Sequence, residues 1–196
     1  MVLSSVLDAA HERVEAALRP GDVAIDATAG NGHDTVALAR AVGADGRVYA
    51  FDVQAAALRQ TQIRLSDTGL SGRVDLIHAG HEQMTSRVGE WTWGEVGAVT
   101  FNLGYLPGHD SDRTTTPETT IPALNAALSL LRPGGVITVV VYTGHAGGAA
   151  EARAVDDWAA GLPQEQVRAL SYRFVNQEND PPRLLAVETR AEPGAD

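Results

Sequence analysis

Val23-Ala24-Ile25-Asp26-Ala27-Thr28-Ala29-Gly30-Asn31-Gly32-His33-Asp34 is the stretch on which the reading of this chain turns. A short apolar run ends in a carboxylate, Asp26. A tight glycine turn follows, and Thr35-Val36-Ala37-Leu38-Ala39-Arg40 continues it with a helical pattern. Strand, glycine turn and helix in that order open a nucleotide-binding βαβ unit. The glycines let the backbone approach a ligand that a Cβ would push away.

The charges around the turn select among ligands. A pyrophosphate at a helix N-terminus wants positive potential. Here Asp26 precedes the glycines and Asp34 follows them, so a dianionic pyrophosphate is repelled and a cationic ligand attracted. S-adenosylmethionine, with its ammonium group and sulfonium centre, is such a ligand. The third glycine of the dinucleotide fingerprint is absent, because Thr35 stands in its place. Asp26, Thr28, Gly30, Asn31, Gly32, His33 and Asp34 are therefore candidate cofactor-binding residues.

Working outward, Arg47 to Asp52 reads as a second strand ending in an acid. Asp52 lies 20 residues beyond Gly32, the distance at which an acidic side chain meets a ribose in such units. It is also a natural cap for the helix expected from Gln54 to Leu65, and both roles can hold together. Arg73 to His78 is a third strand. His81 and Glu82 follow at its carboxyl end, where they could edge an adenine, or Glu82 could simply favour a helix N-terminus.

The rest alternates in the same way. Leu3 to Leu18 reads as an amphipathic helix and His33 to Val42 as the first crossover helix. Trp91 and Trp93 are expected as packing residues in a loop or short edge element between Val88 and Gly97. Val96 to Phe101 is a fourth strand, running into Asn102-Leu103-Gly104-Tyr105-Leu106-Pro107-Gly108-His109-Asp110. Ser111 to Thr116 is polar and a candidate lid or substrate-ordering loop. A helix begins at Thr116-Pro117 and runs to Leu131. Arg132 to Gly135 is a turn, Val136 to Val141 a fifth strand, and Ala149 to Ala160 a helix. Val167 to Val175 and Leu184 to Glu188 close the sheet, with a hairpin-like return that makes the last strand antiparallel. The 196 residues fit one domain.

Composition excludes several chemistries. There are no cysteines, hence no disulfides, thiolate metal sites or cysteine-adduct methylation of pyrimidines. All 15 basic residues are arginine, which removes a Walker lysine and Schiff-base chemistry. His109, Asp110, Asp112 and His145 have metal-ligand chemistry, but loop groups of this kind more often serve hydrogen bonding, and no metal is expected. The N-terminus carries Asp8, Glu12 and Glu15 and lacks a basic signal-peptide region. No apolar run approaches a membrane span, so a cytoplasmic protein without a membrane partner is expected. A net charge of −10 argues against a broad non-specific grip on nucleic acid, though not against a local arginine patch.

Five motifs occur in order: Asp26-x-Thr-x-Gly-x-Gly, Asp52-x-Gln54, Asn102-Leu-Gly-Tyr105-Leu-Pro-Gly, Tyr142-x-Gly-His145-x-Gly-Gly and Asn176-Gln177-x-Asn179-x-Pro-Pro. On these the chain resembles class I S-adenosylmethionine-dependent methyltransferases. More narrowly, it resembles the small bacterial family labelled "putative rRNA methylase", whose members are assigned as tRNA 5-aminomethyl-2-thiouridine methyltransferases. The resemblance covers nearly the whole chain. It implies a Rossmann-like α/β fold, with a seven-stranded, mostly parallel sheet, helices on both faces and an antiparallel last strand. It also implies Gln54 in the cofactor site and methylation of an exocyclic amine at the tRNA wobble uridine. A homodimer is compatible with it.

Under that reading an alkyl ammonium must lose a proton before it attacks. His145 and Asp110 are the candidate bases, Asn102 and Tyr105 hold the nucleophile or base, and Tyr142 stacks on the flipped uridine. A methyltransferase acting on rRNA or a small molecule, an NAD-dependent oxidoreductase and a non-catalytic binding module are the competing readings.

Overall fold

The computed structural model describes residues 2–104 and 114–190; Tyr105 and Asp110 lie outside them. The first helix, α1 (Val6–Ala17), begins one turn later than its apolar periodicity suggests. Ser5 stops it, its Oγ accepting the Asp8 N–H at 3.1 Å. β1 (Val23–Asp26) is buried at every position, as a central parallel strand covered on both faces must be. The chain continues through α2 (His33–Ala41), β2 (Arg47–Asp52), α3 (Ala55–Thr68), β3 (Val74–His78), α4 (Met84–Arg87) and β4 (Val96–Leu103). α5 (Pro117–Leu130), β5 (Leu131–Val141), α6 (Gly148–Ala160), β6 (Val167–Tyr172) and β7 (Arg183–Thr189) complete it.

The strands form one sheet in the order β3-β2-β1-β4-β5-β7-β6. The first five are parallel, and β7 runs antiparallel to both β5 and β6, as expected from sequence. Alternating residues divide the core. Ile25, Phe51, Phe101 and Ile137 join Leu124 and Leu130 of α5 on one face. Ala24, Val48, Ala50 and Ala98 meet Val36 and Leu38 of α2 and Leu58 and Leu65 of α3 on the other. α1 lays Val6, Ala9 and Ala10 over Val140 of β5 and Leu184 and Ala186 of β7. No helix of the described residues is long and apolar enough to cross a membrane.

Three local readings need correction. β4 runs two residues past Phe101, so Asn102 stands in the strand, paired with Val140. β5 starts at Leu131 rather than Val136, and the expected turn becomes a break in register between Val96↔Leu131 and Ala98↔Val136. Arg132 anchors that early start, donating from Nη2 to Asp22 Oδ2 at 2.9 Å and to the Ala17 carbonyl at 2.6 Å. Trp91 and Trp93 are 60% and 51% exposed, so they do not pack as expected. The 3-10 turn Glu90–Thr92 gives the inward slot to Thr92, whose Oγ1 donates to the Gly89 carbonyl at 2.7 Å.

Candidate active site

β1 and β4 are neighbours whose following connections lead to opposite edges of the sheet, which makes their carboxyl ends a topological switch point. A cavity of about 600 Å³ opens there. Its floor is the glycine turn. Gly30 donates its N–H to Asp52 Oδ2 at 2.9 Å, and Asp52 Oδ1 accepts the Gln54 N–H at 2.8 Å. Asp52 thus joins the ends of β1 and β2 while each carboxylate oxygen keeps a lone pair for another donor. From below, α3 ties back the turn's carbonyls: Thr61 Oγ1 donates to Gly30 O at 2.9 Å and Arg64 Nε to Asn31 O at 2.7 Å.

His81 closes one side. Its Nδ1 lies 3.3 Å from the Ala27 carbonyl. A carbonyl only accepts, so Nδ1 carries the proton and Nε2 is left as an acceptor. That Nε2 is buried, with no partner among the described residues. Burial lowers the pKa of His81, which keeps the ring neutral. Its edge meets Phe101 with centroids 5.6 Å apart.

The opposite side carries Asn102, Tyr142 and His145. Thr28 Oγ1 accepts the Asn102 N–H at 2.8 Å, pinning β4 to β1. Asn102 Nδ2 donates to Asp34 Oδ2 at 2.5 Å, and Asp34 Oδ1 meets His11 Nε2 at 2.7 Å. Gly104 packs beside His145 and Tyr142; a Cβ there would fall 3.4 Å from His145 Nε2 and 3.6 Å from Tyr142 Cβ. Burial, aided by the Asp34 charge, raises the pKa of Tyr142.

The two acids flanking the turn play unequal parts. Asp34 is on the cavity wall with Asp52 and Glu82. Burial alone would raise its pKa, but the His11 and Asn102 hydrogen bonds and the nearby histidines outweigh this and lower it. Asp26 lies beneath the wall, fully buried, accepting Thr35 Oγ1 at 2.5 Å and the Thr28 N–H at 3.2 Å. Burial and the Asp34 charge push its carboxyl up to about 7. It bonds within the turn and does not line the cavity, which Asp34, Asp52 and Glu82 do. Gly32 is likewise buried behind the wall.

Thr28, Gly30, Asn31, His33, Asp34, Asp52, Gln54, His81, Glu82, Asn102, Tyr142 and His145 all line this one cavity. No arginine lines it among the described residues, and no cluster of three metal-ligating side chains occurs among them. Sequence reasoning missed His11, Thr61, Arg64 and Glu151. Glu151 carried a readable signal, since it is a polar residue on its helix's inward stripe with Gly148, Ala152 and Val155.

The family model described as "Putative rRNA methylase" matches residues 48–188. An Arabidopsis thaliana protein, the chloroplastic tRNA (mnm(5)s(2)U34)-methyltransferase, is 38% identical over 179 residues, covering 87% of this chain. The chain spans 64% of that relative's length. The crystal structure of a protein named "putative rRNA-methylase" from Clostridium thermocellum superposes with TM-score 0.92 at 41% identity, covering 96% of this chain and 100% of the other. A Streptococcus mutans protein named "a putative methyltransferase", solved in complex with S-adenosylhomocysteine, gives TM-score 0.86 at 35% identity over 95% of this chain and 99% of that one. The fold is that of class I methyltransferases, and the chain belongs to the family described as "Putative rRNA methylase".

Proposed function

We propose that the chain is an S-adenosylmethionine-dependent methyltransferase acting on the exocyclic amine of 5-aminomethyl-2-thiouridine at the tRNA wobble position. One observation carries the cofactor reading. The cavity sets Asp34, Asp52 and Glu82 around the switch point with no arginine among its described lining. That wall favours a ligand with a cationic end and offers nothing to a pyrophosphate. The residues fit the group further. Asp52 presents acceptors for ribose hydroxyls, and His81 and Glu82 edge the part of the cavity where an adenine would lie. The tRNA reading is supported by the Arabidopsis relative's printed activity.

When bound, the cofactor supplies a methyl group already activated by its sulfonium. The protein's task is orientation and proton removal. The methyl carbon–sulfur bond breaks as the nitrogen–carbon bond forms; S-adenosylhomocysteine leaves and the amine gives up one proton. Asn102 accepts an amine N–H and holds the nitrogen in line. Tyr142, half-buried at the end of β5, offers its ring to the uridine. His145 is the base candidate on the same wall, and the cytoplasm is the proposed place of action.

Two measurements test this. Calorimetry should show S-adenosylhomocysteine binding and no NAD binding; the reverse would overturn the cofactor reading. Nucleoside mass spectrometry, after incubation with tRNA carrying 5-aminomethyl-2-thiouridine, should show one added methyl on that nucleoside. An unchanged profile, with transfer to rRNA or to a small amine instead, would overturn the substrate reading.

A further inference from the structure

Asn102 reaches the cavity from the end of β4, and its amide could in principle face either way. Asp34 decides. A carboxylate only accepts, so the Asn102 atom 2.5 Å from Asp34 Oδ2 is the Nδ2 donor. Oδ1 is then turned from Asp34, and nothing among the described residues donates to it. Asp34 is itself held from the other side. Its second oxygen lies 2.7 Å from His11 Nε2, and His11 comes from α1, outside the strand–turn–helix unit.

We propose that His11 is a positioning residue for the acceptor amine: it fixes Asp34, and Asp34 fixes the Asn102 amide with Oδ1 presented to the cavity. What Oδ1 does there rests on the methyl-transfer reading; the connection from His11 to Asn102 does not. Without His11, Asp34 can rotate toward water, since its side chain keeps 17% exposure. Asn102 then loses the partner that distinguishes its two orientations, and an amide turned the other way offers an N–H where the amine needs an acceptor.

The charged groups facing His11 are Asp34 from α2 and Asp8 and Glu15 from its own helix. The Asp34 hydrogen bond, helped by the charges of all three, outweighs burial and raises its pKa. Asp34 in turn faces Asp26 from β1 and His33 from α2. The His11–Asp34 contact is therefore strongest while the imidazole is charged, and its titration should be felt at Asn102.

The test separates positioning from helix docking. His11→Ala removes the donor; His11→Gln keeps an N–H at a similar reach without a titrating ring. With both variants folded at the assay temperature, His11→Ala should lose about tenfold in kcat, the scale of a displaced orienting group, with little change in KM for tRNA or in S-adenosylhomocysteine affinity. His11→Gln should recover most of that loss. Independently of activity, the Asn102 side-chain amide resonances of the wild-type protein should shift as His11 titrates, and stay fixed over the same pH range in His11→Gln. Resonances indifferent to His11, or an unchanged kcat in His11→Ala, would overturn the proposal. A wild-type protein that methylates no tRNA would defeat the substrate reading and leave the resonance measurement to decide the connection alone.

Discussion

Gly32 shows how much one position can settle. Its φ is +80°, and a Cβ there would lie 2.8 Å from Thr61 Cγ2 and 3.0 Å from Thr61 Cα. The first atom belongs to a side chain, but the last is backbone of α3 and cannot move aside cheaply. Gly69, which ends α3, has a similar φ of +70° with nothing within 4 Å of its missing Cβ. Comparing the two separates conformational strain from collision. Gly69→Ala should cost about 1 kcal/mol for the left-handed backbone alone. Gly32→Ala should cost roughly 2–4 kcal/mol, because overpacking adds to the same strain. Urea unfolding of both variants checks this; equal losses would show that Thr61 yields freely. Gly32→Ala should also weaken S-adenosylhomocysteine binding, since the Thr61 hydroxyl that would be displaced holds the Gly30 carbonyl.

At the scale of elements, Glu151 joins three of them. It is 1% exposed in the first turn of α6. Thr120 of α5 donates to its Oε1 at 2.6 Å and Thr115 to its Oε2 at 2.8 Å. The same Thr115 hydroxyl accepts the Gly104 N–H at 2.8 Å, just beyond the end of β4. Glu151→Ala would leave two hydroxyls without their acceptor and a hollow beside them. It should destabilise the protein by about 2–4 kcal/mol and lower kcat, because Gly104 borders Tyr142 and His145. Glu151→Gln, retaining one acceptor, should lose less of both. Unchanged stability in Glu151→Ala would show that the threonines find other partners. The place of Glu151 on the inward stripe of α6 is legible in sequence, but its partners are not, because they lie on separated segments. What is legible is local. β1, the glycine turn and α2 declare themselves by an apolar run, positive-φ glycines and 3.6-residue spacing within twenty residues. The antiparallel β7 follows from its short polar link to β6. The ends of β4 and β5 do not, since pairing and the Arg132–Asp22 contact set them. Pro122 inside α5 lies on the exposed side of the helix, away from the core face of Ala123, Leu124, Ala127 and Leu130.

For the whole molecule, the two sides of the sheet are tied at the switch point by ionisable groups, and this makes stability depend on pH in a definite sense. Asp26 is held at about 7 in the fold against 3.8 outside it. The folded chain therefore keeps a proton there that the unfolded chain has released, and stability falls as pH rises toward and through 7. His11 acts in the same sense. Its raised pKa contributes stability that is fully present below 6.5 and is lost as pH rises through the folded value. His81 acts in the opposite sense, because its folded pKa is lowered and the unfolded chain takes up its proton below 6.5. Asp34, also lowered, loses its contribution only in acid, below 3.8. Between pH 6.5 and 8 the first two effects act together with little opposition from the others, so the melting temperature should decline across that interval. Asp26→Asn should remove the Asp26 share of the slope. It should carry a constant offset, since one amide oxygen cannot fully serve both Thr35 Oγ1 and the Thr28 N–H. His11→Gln should remove the other share, and the double variant should be nearly flat. Melting temperatures of the four proteins at half-unit pH steps test this. A wild-type profile that rises from pH 6.5 to 8, or single variants with the wild-type slope, would show that the proton is not held at Asp26 and His11.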